Sequence, residues 1–226
     1  MKKFALIVAG GTGSRMGTSL PKQFIGLLGE PILMHTIRAF HCFDSWMKII
    51  VVLPEDQKPR WEELCVQHRF SVPHQLVTGG SNRFGSVKNG LEAIGEDGIV
   101  FIHDGVRPLV SRDTLSRCLA GAEAHSNAIP VVPVTESLRK AGPGENSAVD
   151  RSMYFHVQTP QTFRVSVIKK AYLQEYDRQF TDDASVLERT GCPIHTVEGN
   201  FENIKITRPS DIVVAEAFMK RRNSEK

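Results

Sequence analysis

The chain has 226 residues, 41% hydrophobic and 23% charged, with a formal net charge of +3. That balance suits a soluble α/β protein with ample core and argues against a nucleic-acid binder, which needs clustered Lys and Arg on a larger scale than the terminal run KRRNSEK. The first apolar run, FALIVAG, is too short for a signal-peptide core or a membrane span, so a cytoplasmic enzyme or binding protein, with no membrane or nucleic-acid partner, is the expectation.

Short apolar runs predict strands at 4–9, 48–54, 74–78, 98–104, 127–134 and 193–199. KIIVVLP, GIVFIHD and NAIPVVPV are nearly continuous hydrophobics, as in strands covered on both faces. Apolar residues at three-to-four spacing predict helices over 31–43, 59–69, 83–94, 112–125, 165–176, 182–190 and 209–222. The alternation predicts an α/β fold with a mostly parallel twisted sheet and helices on both faces. Residues 134–156 break the rhythm. A Gly-Pro-Gly turn between short polar stretches predicts a β-hairpin arm, which has little core of its own. It is either a solvated hairpin or an arm packed on a second copy of the chain. The expected organisation is one domain over 1–226 with the arm at about 134–156.

Four segments carry chemistry. AGGTGSRMG follows the first strand, where ligands sit in open α/β sheets. Gly10, Gly11 and Gly13 free backbone N–H groups to face an anion. The loop lacks the third glycine of a dinucleotide fingerprint, because Met16 stands there, and it lacks the Lys-Ser/Thr of a P-loop. It offers instead Arg15 and, beyond Pro21, Lys22: two cations suited to a triphosphate whose charge rises during reaction. GGSNRFGSV places Arg83 and Ser86 at a helix start. HDGVRP places Asp104 at a strand end, suited to a hard cation such as Mg²⁺, and Arg107 where it could grip a phosphate. ENIKITRPSD holds Lys205 in a β-like run, opposite Ile204 and Ile206.

Taken in order, AGGTGSRM…PKQF, GGSNRFGSV, HDGVRP, VDR…QTPQTF, TDDAS and NIKITRPSD resemble the 2-C-methyl-D-erythritol 4-phosphate cytidylyltransferases of the non-mevalonate isoprenoid pathway, over residues 4 to about 218. The resemblance implies a Rossmann-like nucleotidyltransferase fold and transfer of CMP from CTP to methylerythritol phosphate, releasing pyrophosphate. It implies that Arg15 and Lys22 stabilise the transition state. Lys205 and Arg151, the latter from the other subunit of a homodimer joined through the β-arm, would position the attacking phosphate. Ala9, Gly80 and Ser86 fall where the family holds cytosine, and Gly10, Gly11, Gly13 and Arg83 belong to the nucleotide site. Asp104 and Arg107 fall near the sugar phosphate, with Asp104 near Mg²⁺, and Ser137, Thr159 and Thr181 join that side.

The chain departs from the family at Glu136-Ser137, where an Asp-Thr pair is usual, though serine keeps the hydroxyl. AGG is similar to the sister enzymes that make CDP-ribitol, whereas VDR and TRPSD favour the methylerythritol branch. Ribitol 5-phosphate is therefore the alternative acceptor. A dinucleotide-dependent oxidoreductase has its acid, Glu55 after the second strand, but not its glycine; a non-catalytic nucleotide sensor would not need Arg15, Lys22 and Lys205 together.

Overall fold

The computed structural model describes residues 1–10 and 20–224. Its core is a sheet of eight strands among these residues, ordered β10-β7-β11-β6-β1-β4-β5, with β12 beside β7. The strands are β1 (Lys3–Val8), β4 (Lys48–Leu53), β5 (Gln75–Thr78), β6 (Ile99–Asp104), β7 (Asn127–Pro133), β10 (Phe155–Val157), β11 (Gln161–Arg164) and β12 (Thr196–Glu198). Two short strands, β2 (Gly26–Leu27) and β3 (Glu30–Pro31), pair off the main sheet. The helices are α1 (Ile32–Phe43), α2 (Lys58–Gln67), α3 (Arg83–Glu92), α4 (Arg112–His125), α5 (Val165–Ala171), α6 (Asp183–Glu188) and α7 (Pro209–Ser224).

The near-continuous apolar strands are covered on both faces. Along β1, Phe4 and Leu6 face one layer, where Val87 and Leu91 of α3 and Ile168 of α5 pack. Ala5 and Ile7 face the other, with Leu33 and Ile37 of α1, Trp61 of α2 and Leu115 of α4. This period-two division is why no polar residue interrupts the run. Helix α3 lies so close to β1 that a Cβ on Gly90 would stand 2.3 Å from Leu6 Cδ1. Caps fix where helices begin: Asn82 Oδ1 accepts from Gly85 N, Ser111 Oγ from Thr114 N, and Asp182 with Ser185 forms a reciprocal box at α6.

The six expected strands all form, and β1, β4, β5 and β6 run parallel. The sequence reading missed β10 and β11, which are antiparallel insertions. Strand β11 reads QTFR, too polar to look internal, yet Gln161, Thr162 and Phe163 are buried. Gln161 is tolerated because its amide serves α6, donating to Asp182 Oδ2 at 2.7 Å and accepting from Ala184 N at 2.8 Å. Two expectations are corrected. The helix from 165 stops at Ala171: Leu173 N–H turns to Lys170 O, and the Gln174 amide donates to the helix-end carbonyl of Ala171 at 2.8 Å and to Val186 O of α6 at 2.9 Å. The run holding Lys205 is not a strand; Ile206 N–H donates to Val106 O, and Ile206 is buried while Lys205 is exposed. The arm forms as expected: β8 (Leu138–Gly142) and β9 (Glu145–Val149) pair with each other in a two-stranded sheet.

Candidate active site

Parallel strands bring their carboxyl ends to one edge, and the motif residues collect there. Ala9 and Gly10 follow β1, Asp104 ends β6, Gly80 lies in the turn after β5, and Arg83 and Ser86 open α3. With Lys22 and Lys205 these residues line one cavity of about 270 Å³. A larger cavity of about 600 Å³ lies at the opposite end of the strands, but its Lys48 and Glu96 are paired with each other.

The wall beside α3 is set by a glycine turn. A Cβ on Gly80 would come within 2.7 Å of the Gly85 backbone, so only glycine fits. The Ser86 hydroxyl donates to Asn82 O at 2.9 Å and accepts from Gly80 N at 3.1 Å. Arg83 forms a two-pronged pair with Asp183, at 2.8 and 2.6 Å. Asp183 is fully buried and also accepts from Tyr172. Burial would lower the Arg83 pKa, but the Asp183 carboxylate outweighs it and holds the guanidinium firmly charged. Arg83 is therefore a strut between α3 and α6 as well as part of the cavity wall.

The opposite wall is an ion cluster. Asp104 Oδ2 receives Lys205 Nζ at 3.0 Å and Arg107 Nε at 3.2 Å. Burial alone would raise the Asp104 pKa; the charges of Lys205, Arg83 and Arg107 override it and hold the carboxyl well below the usual range. Arg107 Nη1 also donates to Asn203 O at 2.7 Å, which ties the Lys205 segment to the end of β6. Asn203, fully buried, donates to Thr159 O at 2.8 Å.

Behind Asp104 lies His103, fully buried with its ring edge-on to Phe40. Its Nε2 is 3.0 Å from Arg107 O and its Nδ1 3.0 Å from Thr159 Oγ1, which accepts from Asp104 N at 3.1 Å. One neutral tautomer satisfies the chain: Nε2–H donates to the carbonyl, and Nδ1 accepts from the threonine. Burial lowers the His103 pKa to about 4.

The structure thus brings together Ala9, Gly10, Lys22, Gly80, Arg83, Ser86, Asp104 and Lys205, with Arg107 packed behind them. Thr159 is buried, its hydroxyl engaged by His103 and Asp104. Ser137 and Arg151 are exposed on and beside the arm, and Thr181 is exposed before α6; none of the three lines this cavity. Gly11, Gly13 and Arg15 lie outside the described residues. Sequence reasoning missed the roles of His103, Asp183 and Asn203. Each stood inside a quoted motif, but only three-dimensional pairing reveals what it holds.

The sequence profile of 2-C-methyl-D-erythritol 4-phosphate cytidylyltransferase matches residues 4–221. A protein of that name from Bacteroides thetaiotaomicron is 50% identical over 219 residues, covering 97% of this chain and 100% of the relative. One from Bacillus velezensis is 38% identical and covers 97% of each. Among solved structures, the 2-C-methyl-D-erythritol 4-phosphate cytidylyltransferase of Thermus thermophilus superposes with a TM-score of 0.79 at 31% identity, over 97% of this chain and 100% of that one. The chain belongs to the 2-C-methyl-D-erythritol 4-phosphate cytidylyltransferase family.

Proposed function

We propose that the cavity at the carboxyl edge of the sheet is where this cytidylyltransferase joins CTP to its acceptor, with the ion cluster of Asp104, Lys205 and Arg107 as the acceptor side. The enzyme transfers CMP from CTP to 2-C-methyl-D-erythritol 4-phosphate in isoprenoid precursor biosynthesis. A phosphate oxygen of the acceptor attacks the α-phosphorus, the bond to the β-phosphate oxygen breaks, and pyrophosphate leaves. No group is passed to the protein, so the chain's task is positioning and charge neutralisation.

The observation that carries this reading is the placement of Lys22 and Lys205 on one cavity whose opposite wall is the Gly80–Ser86 turn. Ala9, Gly80 and Ser86 take the cytosine edge, where the exposed backbone of the turn offers hydrogen bonds while Ser86 holds its shape. Gly10 faces the phosphates, and Gly11 and Gly13 are assigned to the same nucleotide site. Lys22 and Arg15 neutralise the charge that grows on the α-phosphate and the leaving group. Lys205 receives the acceptor phosphate, and Arg107 holds Lys205 in place through Asn203.

Asp104 is the one carboxylate lining the cavity among the described residues, and its neighbours keep it ionised. This suits a hard divalent cation that takes one protein oxygen and draws the rest from phosphates and water. Asp104 would hold such a cation, Mg²⁺, which would supply further neutralisation of the triphosphate.

The arm supports a homodimer. Strands β8 and β9 are almost wholly exposed, and Met153, Tyr154, Phe155 and Val157 beside them present apolar surface to solvent. Arg151 is held by Thr135 O at the arm's base, away from its own chain's cavity. These features fit an arm that reaches a second subunit and delivers Arg151 and Ser137 to its acceptor. The same reading takes the chain as one catalytic domain carrying the arm. Among the described residues no helix is long and apolar enough to cross a membrane, in keeping with a cytoplasmic role.

Pyrophosphate release with CTP and Mg²⁺ tests the assignment. Turnover with methylerythritol phosphate at a kcat/KM far above that for ribitol 5-phosphate is expected. The reverse preference, which the AGG loop and Ser137 keep in view, would move the enzyme to the ribitol branch.

A further inference from the structure

A second cavity, of about 540 Å³, lies between α1, the start of α4 and the end of α7. It shares no lining residue with the active-site cavity. Its floor is apolar, built from Phe43, Leu109, Leu115 and Met219. Its rim carries Arg38, Arg112 and Arg222, from three different elements, and no carboxylate lines it among the described residues.

Two of the arginines are already oriented. Arg38 is gripped by Glu30, just outside the cavity, at 2.6 and 3.1 Å, which offsets one of the three charges. Arg112 stacks on Phe43, its guanidinium carbon 5.4 Å from the ring centre, and donates to Cys42 O at 3.1 Å. An apolar floor of this volume under fixed guanidiniums is the complement of an anion on a short apolar chain. Guanidinium forks match phosphate oxygens, and the floor gains from burying the chain.

The cavity backs onto the catalytic wall. Pro108, Leu109 and Val110 line it, and the same segment presents Asp104 and Arg107 to the active site. Helix α1 is tied to that segment where Thr36 Oγ1 donates to Gly105 O at 3.1 Å. We propose that this cavity is an effector site for an organic phosphate or diphosphate ester with a short apolar chain, acting through residues 104–110.

Cys42, exposed on the cavity, reports occupancy. Its alkylation by a small reagent is followed by peptide mass, with Cys192 as internal control; burial raises Cys65 to about 11 and slows it. Geranyl diphosphate is the probe, against geraniol, inorganic pyrophosphate and anionic phospholipid vesicles. At a ligand concentration about ten times Kd, protection of Cys42 of about ten-fold is expected from geranyl diphosphate. The ligand should change the KM for CTP; under saturating CTP the protection should persist, its Kd shifted by no more than the matching factor, and both protection and the KM change should weaken in Arg222→Ala, whose exposed side chain lets the fold stand. Unprotected Cys42, protection removed by CTP, equal protection by pyrophosphate, protection by vesicles alone, or binding with no change in rate would each overturn the proposal.

Discussion

The Lys205 ammonium lies 3.0 Å from Asp104 Oδ2, although the two residues stand far apart in the chain. Asp104 is 8% exposed and Lys205 reaches it from an exposed position. The pair therefore separates rate from stability. Lys205→Met should lower kcat by about 10²- to 10³-fold, with stability changed by no more than about 1 kcal/mol. Asp104→Asn should cost rate and also about 2–3 kcal/mol, because Arg107 and Lys205 then face each other without their shared anion. Single-turnover pyrophosphate release and urea unfolding of both variants check this. A Lys205→Met enzyme with near-normal turnover would remove Lys205 from the acceptor site.

Arg83 and Asp183 bridge α3 and α6, so their loss should be felt in folding before chemistry. Asp183 accepts three donors while fully buried. Asp183→Asn leaves Arg83 without its counter-charge and should destabilise the chain by about 3 kcal/mol. The double variant Arg83→Met with Asp183→Leu should be less destabilised than the sum of its own two single variants, Arg83→Met and Asp183→Leu, giving a coupling energy of about 1.5 kcal/mol or more in that double-mutant cycle. Strict additivity in denaturant titrations would mean that the pair is not a unit.

The arm reading yields a complementation test. Lys22 belongs to a chain's own cavity, while Arg151 is proposed to serve the partner's. Lys22→Ala and Arg151→Ala chains should each be nearly inactive. Mixed after co-refolding, half the dimers are hybrids, each with one intact site, so about a quarter of wild-type activity should return. Failure to regain activity in hybrids confirmed by native mass spectrometry would confine Arg151 to its own subunit.

What could be read from the chain follows from where the physics is local. The apolar runs at 48–54 and 98–104 announce strands because burial on both faces needs no partner to be named. Asp104 and Lys205, which the fold brings together on one cavity, were legible as candidates because a charge at a strand end and a lysine between isoleucines both violate the surrounding pattern. Strand β11 was illegible because Gln161 is stabilised by α6, some twenty residues on, and nothing in QTFR signals that bond. His103 was hidden for the same reason: its partners are a carbonyl four residues away and a hydroxyl from β11's approach.

His103 gives the sharpest pH prediction. Its folded pKa, lowered to about 4 by burial, lies below the 6.5 of the free side chain. Below pH 6.5 the unfolded chain takes up a proton that the folded chain refuses. Stability from the neutral ring is fully present above pH 6.5, declines as pH falls, and is gone near pH 4, an effect of about 3 kcal/mol at most. His103→Gln keeps a donor for Arg107 O but cannot titrate and leaves Thr159 without its acceptor. The variant should be less stable at about pH 7.5, by about 1–2 kcal/mol, and its unfolding free energy should fall less steeply between pH 6.5 and 4. Because Thr159 and Arg107 flank Asp104, its KM for the acceptor should rise more than its kcat falls. Parallel pH–stability curves for the two proteins would show that His103 is not the titrating group, and an unchanged KM would separate it from Asp104.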